Sequence, residues 1–226
     1  MPPADLPTLP RRRRDTSKRD YGRVVVVGGA AGMAGAPALA ASAALRSGAG
    51  LVEALVPEQI VAIAASFDPC VMTRGLPGRT DGTFATDAVE EAVERIQVRM
   101  GAADAVAVGP GLGRSDAVIQ LVAHLWRHLP QPAVFDADAL WAIAHIDGQL
   151  AGHAGPRILT PHAGELLRLV GADPSAAAAD DRPMLEERAA TLAAAMSVVV
   201  VLKGPATLIT DGGRRVHNDT GNPGMA

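Results

Sequence analysis

At 226 residues and 23.1 kDa the chain is long enough for one large domain, and with 48% hydrophobic but only 3% aromatic residues its core must be aliphatic. Cys70 is the sole cysteine, which excludes an internal disulfide and a cysteine-based zinc site and fits a reducing compartment. The net charge of −3 divides into +4 over residues 1–23, where seven basic groups face three acidic ones, and −7 over the remainder, an acidic body that argues against nucleic acid as a partner.

Residues 1–22 read as a basic, flexible leader, because RRRRDTSKR has no interleaved aromatic residue to stack on bases. One domain is expected over residues 23–226. It opens with RVVVVGG, a β-branched run of the kind buried on both faces of a parallel sheet. A helix over Ala36–Ser47 and a strand over Leu51–Val56 follow. The next predicted helix covers Thr86–Met100, capped by Thr86, with Val89, Val93, Ile96 and Met100 on one face. ADAVAVGPGLG reads as strand then glycine loop, and Ser115 caps a helix running to His128. AVFDADAL is a strand entering a short helix after Asp138. RILTPHAGELLRLVG is strand, cap and helix, closed by Gly171, and a further helix covers Arg182–Met196. VVVVLKGPATLITDGGRRVHN makes three strand pieces, the last two joined by an Asp-Gly-Gly hairpin turn. No apolar run approaches a membrane span and the N-terminus lacks a signal-peptide core, so the expectation is a soluble, cytoplasmic protein with no membrane partner.

Alternating strands and helices predict a three-layer α/β/α domain with a mainly parallel central sheet. Ligands bind at the carboxyl ends of parallel strands, so the informative loops are those that follow strands. GGAAGMAGA (Gly28–Ala36) leads into a helix, but Gly28, Gly29, Gly32 and Gly35 never meet the dinucleotide-binding spacing; unobstructed backbone at a helix N-terminus remains, as either a tight turn or an anion site. GPGLG (Gly109–Gly113) repeats the arrangement, and no phosphate-loop Gly-Lys-Ser/Thr occurs. In DAD, Asp136 and Asp138 share a direction if the extension persists and could hold Mg²⁺ or a substrate hydroxyl, although Asp138 is also the natural cap of the next helix. In TPHAGE, Thr160 and Pro161 have the chemistry of cap and first helical residue, which places His162 in the first turn as a neutral hydrogen-bonding group. Lys203, emerging from an apolar strand onto Gly204, Pro205, Ala206 and Thr207, suits a nucleotide phosphate. His124 and His128 lie one helical turn apart with no third ligand, and no metal site is assigned.

VVVVGGAAGMAGAPALAASAALRSGAGLV, VGPGLGRSD, VFDADAL, ILTPHAGELLRL, VVLKGPATLI and NDTGNPGMA together resemble the ADP/ATP-dependent NAD(P)H-hydrate dehydratases of the ribokinase-like superfamily. The resemblance implies a ribokinase-like fold and repair of damaged nicotinamide cofactors: ADP or ATP, with Mg²⁺, phosphorylates the hydroxyl of hydrated NADH or NADPH, and elimination of phosphate restores the ring double bond. It places Gly35, Ala36, Gly113 and His162 at the hydrated cofactor and Lys203–Thr207 at the adenine nucleotide; Asp136 joins the substrate side on the reading of its own loop. It also implies a homotetramer at full length. In such proteins NPGMA leads to a Gly-x-Gly-Asp anion hole that supplies the catalytic base. The 226 residues stop before it, so the expectation is a domain incomplete at its C-terminus that binds without catalysing. SKRDYG stands where these proteins carry His-Lys-Gly. A vitamin- or sugar-type small-molecule kinase of the same superfamily shares the donor loop, and a non-catalytic nucleotide-binding protein is the other alternative.

Overall fold

The computed structural model describes residues 11–98, 103–146, 152–175 and 181–221. Its strands are β1 (Arg23–Val27), β2 (Leu51–Pro57), β3 (Met72–Leu76), β4 (Ala105–Val108), β5 (Ala133–Phe135), β6 (Arg157–Leu159), β7 (Val199–Leu202), β8 (Thr207–Thr210) and β9 (Arg215–Asn218). They form one sheet in the order β3-β2-β1-β4-β5-β6-β7-β8-β9. The strands from β3 across to β7 pair parallel, and β8 and β9 close the far edge antiparallel. The helices are α1 (Gly35–Arg46), α2 (Val61–Ala65), α3 (Ala88–Gln97), α4 (Asp116–His128), α5 (Asp138–Ala144), α6 (Ala163–Leu169) and α7 (Arg182–Met196).

The two faces of β1 show why the layers form. Val25 and Val27 point into a large core with Leu55, Val106, Phe135, Leu159 and Val200, packed under α3 to α7. Val24 and Val26 point the other way, into a smaller core with Val52, Ala54, Val56 and Ala41 under α1 and α2. Strand and helix therefore alternate on both sides of β1, as an α/β/α arrangement requires. Further along the sheet the two faces differ. Val106, Val108, Ala133, Phe135, Leu159, Val200 and Leu202 are buried on the α4–α7 side, whereas Val134, Ile158, Val199 and Val201 on the other side are only partly covered and Ile209 is 38% exposed. A run such as VVVL thus reads as two-sided burial while only one side is sealed by the described residues.

A buried arginine fastens this frame at the amino ends of the strands. Arg157, 2% exposed, opens β6 and reaches the end of α4, where Nη2 donates to the carbonyls of Trp126 (2.7 Å) and Leu129 (2.6 Å) and Nη1 donates to that of Gln131 (3.0 Å). Those carbonyls lie at the negative end of the helix dipole, with no partner of their own along the helix. At the start of β1, Arg23 pairs with the buried Glu53, which Arg74 also approaches at 3.5 Å.

Several local expectations change. The helix predicted from Thr86 begins at Ala88 without a side-chain cap, and Thr86 instead accepts the Val89 N–H through its backbone carbonyl; Met100 lies outside the described residues. Residues 11–22, read as a flexible leader, fold over the α1–β2 turn. Ser17 and Asp20 form a capping box around one 3-10 turn, Arg12 lies 4.2 Å over the Tyr21 ring, and Arg12 Nη2 donates to Gly48 O (2.9 Å). Strand β3 and helix α2 are additional to the predicted elements. Ser115 does cap α4, accepting the Val118 N–H, and Gly171 closes α6 with φ 71°.

Arg157→Met is expected to leave several buried carbonyls without a partner and to cost about 3 kcal/mol or more, from roughly 1–3 kcal/mol for each unsatisfied group, measured by urea unfolding. A loss below about 0.5 kcal/mol, the scale of an ordinary surface change, would show that water satisfies the end of α4.

Candidate active site

The order β3-β2-β1-β4-β5-β6-β7 reverses direction between β1 and β4, and a crevice opens where such crossovers diverge to opposite faces. The loop after β1 (Gly28–Ala34) and the loop after β4 (Gly109–Ser115) flank that crevice. They meet backbone to backbone: the Gly29 N–H donates to Pro110 O at 2.9 Å. A Cβ on Gly28 would lie 2.5 Å from that same carbonyl. Gly28 and Gly29 therefore form the tight turn that the sequence offered as one of its two readings. Gly35 and Ala36 are the first two residues of α1, partly exposed beside the Gly111 loop.

Each further loop is joined to its neighbour. Gly109, at φ 131°, lies so near the β5 loop that a Cβ would fall 1.8 Å from Asp136 O. The Gly113 N–H donates to Asp138 Oδ2 at 2.9 Å, and Arg114 Nε reaches Asp138 Oδ1 at 3.4 Å. Lys203 at the end of β7 donates its backbone N–H to Pro161 O (2.8 Å) and its Nζ to Asp136 Oδ1 (2.7 Å), with Glu165 Oε2 at 3.7 Å. The result is one continuous rim across the carboxyl ends of β1, β4, β5, β6 and β7. A stretch that sequence reasoning passed over extends it: Gly82 O, in the turn after β3, accepts the Ala31 N–H at 3.0 Å, and Thr83 lies beside Gly113. The turn residues of LPGRTDG were its signal.

Two side-chain roles differ from expectation. Asp138 is the first residue of α5 rather than its cap, because Ala137 adopts φ 51° and ψ −121° and breaks the extension. The two carboxylates consequently separate, Asp138 holding the GPGLG loop and Asp136 holding Lys203. His162, not Thr160, caps α6. Its Nδ1 accepts the Glu165 N–H at 3.2 Å while Glu165 Oε2 accepts the His162 N–H at 2.8 Å, a reciprocal capping box. Thr160 Oγ1 instead reaches Phe135 O at 3.4 Å.

The rim's charges are accessible. Lys203 and Asp136 are each 41% exposed, whereas Glu165, at 11%, is held beneath them. Gly204, Pro205 and Ala206 are exposed and Thr207 is half-buried, its hydroxyl donating to Gly204 O at 3.0 Å. Asn222–Ala226 lie outside the described residues. A shallow groove of about 540 Å³ runs along α1 between Leu39 and Phe67. It shares only Gly35 with these loops, and the convergent polar groups lie on the rim instead. No group of three metal-binding side chains converges among the described residues, and no helix there is long and apolar enough to cross a membrane.

Comparison with known proteins matches this arrangement to one family. Residues 24–226 fit a carbohydrate-kinase-type family described as NAD(P)H-hydrate dehydratase. The chain is 44% identical over 219 residues to a bifunctional NAD(P)H-hydrate repair enzyme of Moorella thermoacetica, covering 96% of this chain and 40% of that protein. It is 34% identical to an ADP-dependent (S)-NAD(P)H-hydrate dehydratase of Neisseria meningitidis, covering 95% of this chain and 67% of that protein. A Bacillus subtilis ADP/ATP-dependent NAD(P)H-hydrate dehydratase, co-crystallised with ATP/Mg²⁺, superposes with a TM-score of 0.74 at 30% identity over 95% of this chain and 70% of its own. The chain thus spans about 40% of the bifunctional relatives and about two thirds of the single-activity ones. From its matched residues and its sheet order, this chain belongs to the NAD(P)H-hydrate dehydratase family.

Proposed function

We propose that the protein takes part in nicotinamide-cofactor repair, binding ADP or ATP at Lys203–Thr207 and hydrated NADH or NADPH along the glycine loops. The observation that carries this is the continuity of the rim. The Lys203 ammonium touches Asp136, whose backbone abuts Gly109, whose loop in turn meets Gly29 and the start of α1. A phosphoryl donor at one end and an alcohol at the other would then share one edge, which is the positioning that phosphoryl transfer chiefly requires.

Each residue has a role in this reading. Gly35, Ala36 and Gly113 offer backbone with no side chain in the way of a flat cofactor. Asp136 accepts from the substrate hydroxyl or holds Lys203 ready. His162 hydrogen-bonds the cofactor once it leaves its cap. Lys203 and the backbone of Gly204, Pro205, Ala206 and Thr207 receive the nucleotide phosphates. Phosphate monoester formation at the ring hydroxyl makes that oxygen a leaving group, and its expulsion with loss of a neighbouring ring proton regenerates the double bond.

Mg²⁺ fits this site as a visitor bound to phosphate rather than as a resident. Asp136 and Glu165 both face Lys203, and Mg²⁺ commonly uses one or two carboxylates together with substrate phosphates. When bound it supplies positive charge between the phosphates. In this proposal the protein is a cytoplasmic homotetramer at full length, which light scattering would check.

ADP at about 100 times its Kd is expected to stabilise the protein by about 2.7 kcal/mol, a rise in Tm of roughly 5–10 °C for a domain of this size. Hydrated NADH is expected to add a further rise that NADH itself does not. Lys203→Met is expected to weaken ADP binding tenfold or more, since one hydrogen bond to a charged group is worth about 1.5–3 kcal/mol. An unchanged Tm at saturating ADP would overturn the donor site. A response to ADP combined with indifference to the hydrate would point to a different alcohol and to a small-molecule kinase.

A further inference from the structure

We propose that Arg182 is the positioning residue of the nucleotide loop, holding the Lys203–Ala206 turn in its receiving shape from beneath; this rests on the nucleotide reading above. Arg182 is the first residue of α7, a helix capped by Asp181 through the Met184 N–H. Nothing in its sequence surroundings marks it. In the fold its guanidinium lies under the turn and donates to three of its carbonyls. Nη2 reaches Ala206 O at 2.9 Å and Leu202 O at 3.2 Å, and Nη1 reaches Lys203 O at 3.4 Å. The remaining edge of the fork is also fixed, with Nε donating to Glu186 Oε1 at 2.9 Å.

The turn is shaped to accept this. A Cβ on Gly204 would lie 3.0 Å from Arg182 Nη1, so the guanidinium occupies the space that a side chain there would crowd. Ala206 is held at φ 52°, a conformation that costs an L-residue energy unless its surroundings enforce it. The direction of the carbonyls matters for binding. Every peptide here is trans, so a carbonyl of Lys203 drawn toward α7 turns the Gly204 N–H to the opposite, outer side. That is the side from which a phosphate oxygen would approach Lys203. A planar five-donor fork holds several carbonyls in one fixed geometry, which the three rotatable donors of a lysine on its flexible stem do not.

The clamp also reaches the next strand. Glu186 is shared, since its Oε2 lies 3.1 Å from His217 Nε2 on β9. Burial alone would raise the Glu186 carboxyl, but hydrogen bonds from Arg182 and His217 outweigh it and hold the group below the ordinary carboxylate range. Beside it Glu187 pairs with Arg215 at 2.8 Å. In the β8–β9 register His217 lies opposite Leu208 and Asn218 opposite Thr207. Arg182 and Glu186 therefore fix the turn and the strand bordering it as one unit.

The test is calorimetric titration of ADP into the whole chain, paired with amide hydrogen exchange, for the unaltered protein, Arg182→Met and Arg182→Lys. Arg182→Met is expected to raise the Kd for ADP at least tenfold and to speed exchange at the Lys203 amide, which Pro161 O holds at 2.8 Å, and Arg182→Lys to recover only part of either. A purely structural role would lower Tm and leave the Kd in place well below that temperature; an unchanged Kd together with unchanged exchange overturns the proposal. Should Arg182→Met not fold, Glu186→Gln, which loosens the hold on Nε, is expected to shift both readings in the same direction by less, and no shift overturns the proposal. If the unaltered chain binds no ADP, the nucleotide reading fails by itself. Exchange at the Lys203 amide then still decides the clamp, faster exchange in Arg182→Met sustaining it and equal exchange refuting it.

Discussion

Parallel pairing from β3 across to β7 dictates where this protein can place reactive groups. When neighbouring strands run the same way, each connection must cross the sheet, and every loop that follows a strand opens at one edge. Glycine at the key positions lets those loops touch. Where Gly109 passes Asp136 O there is no room for a methyl group, so the β4 and β5 loops are locked at van der Waals contact rather than spaced by side chains. Closeness of backbone, more than any one side chain, converts separate turns into a rim.

Charge is used differently at the two ends of the strands. At the amino ends, Arg23, Glu53 and Arg157 are almost wholly buried and their partners are fixed by the fold. Removing one member of such a set strands the others in a medium that cannot solvate them. At the carboxyl ends, Lys203 and Asp136 remain 41% exposed. An ion pair in that setting is worth roughly 0–1 kcal/mol, so Lys203 can change partners at little cost. One edge is built to stay and the other to exchange partners.

Much of this was legible in the residues. RVVVVGG, ADAVAV and the valine run before Lys203 announced strands through β-branched continuity, and the glycine and proline after each announced the loops. Ser115 and Gly171 marked helix ends because capping is a local contract between a side chain and nearby backbone. Failures occurred where a distant group competed for the same atoms. Asp138 has every local reason to cap α5, but Gly113 offers it an N–H from another loop and Ala137 bends to allow it. His162 outcompeted Thr160 for the start of α6 because Glu165 could return the hydrogen bond. Strand β3, with Thr73, Arg74 and Gly75 at its centre, lacks the apolar alternation that reveals a strand, since it is an edge strand with mostly accessible side chains. Arg182 was invisible for the same physical reason: its partners are carbonyls, which every residue possesses.

The sheet's far edge shows how antiparallel closure serves a parallel fold. After β7 the chain turns back through Lys203–Ala206 instead of crossing over, so the proposed donor loop is a hairpin turn and not the entrance to a helix. Such a turn has no helix dipole behind it to attract phosphate, and it must be shaped by other means. Lys203 brings the charge, and neighbouring elements supply the rigidity through Pro161, Glu165 and α7. The strand after it keeps the same company. Asn218 accepts both the N–H and the hydroxyl of Thr220, at 3.0 and 2.6 Å, and turns the chain off β9 opposite Thr207.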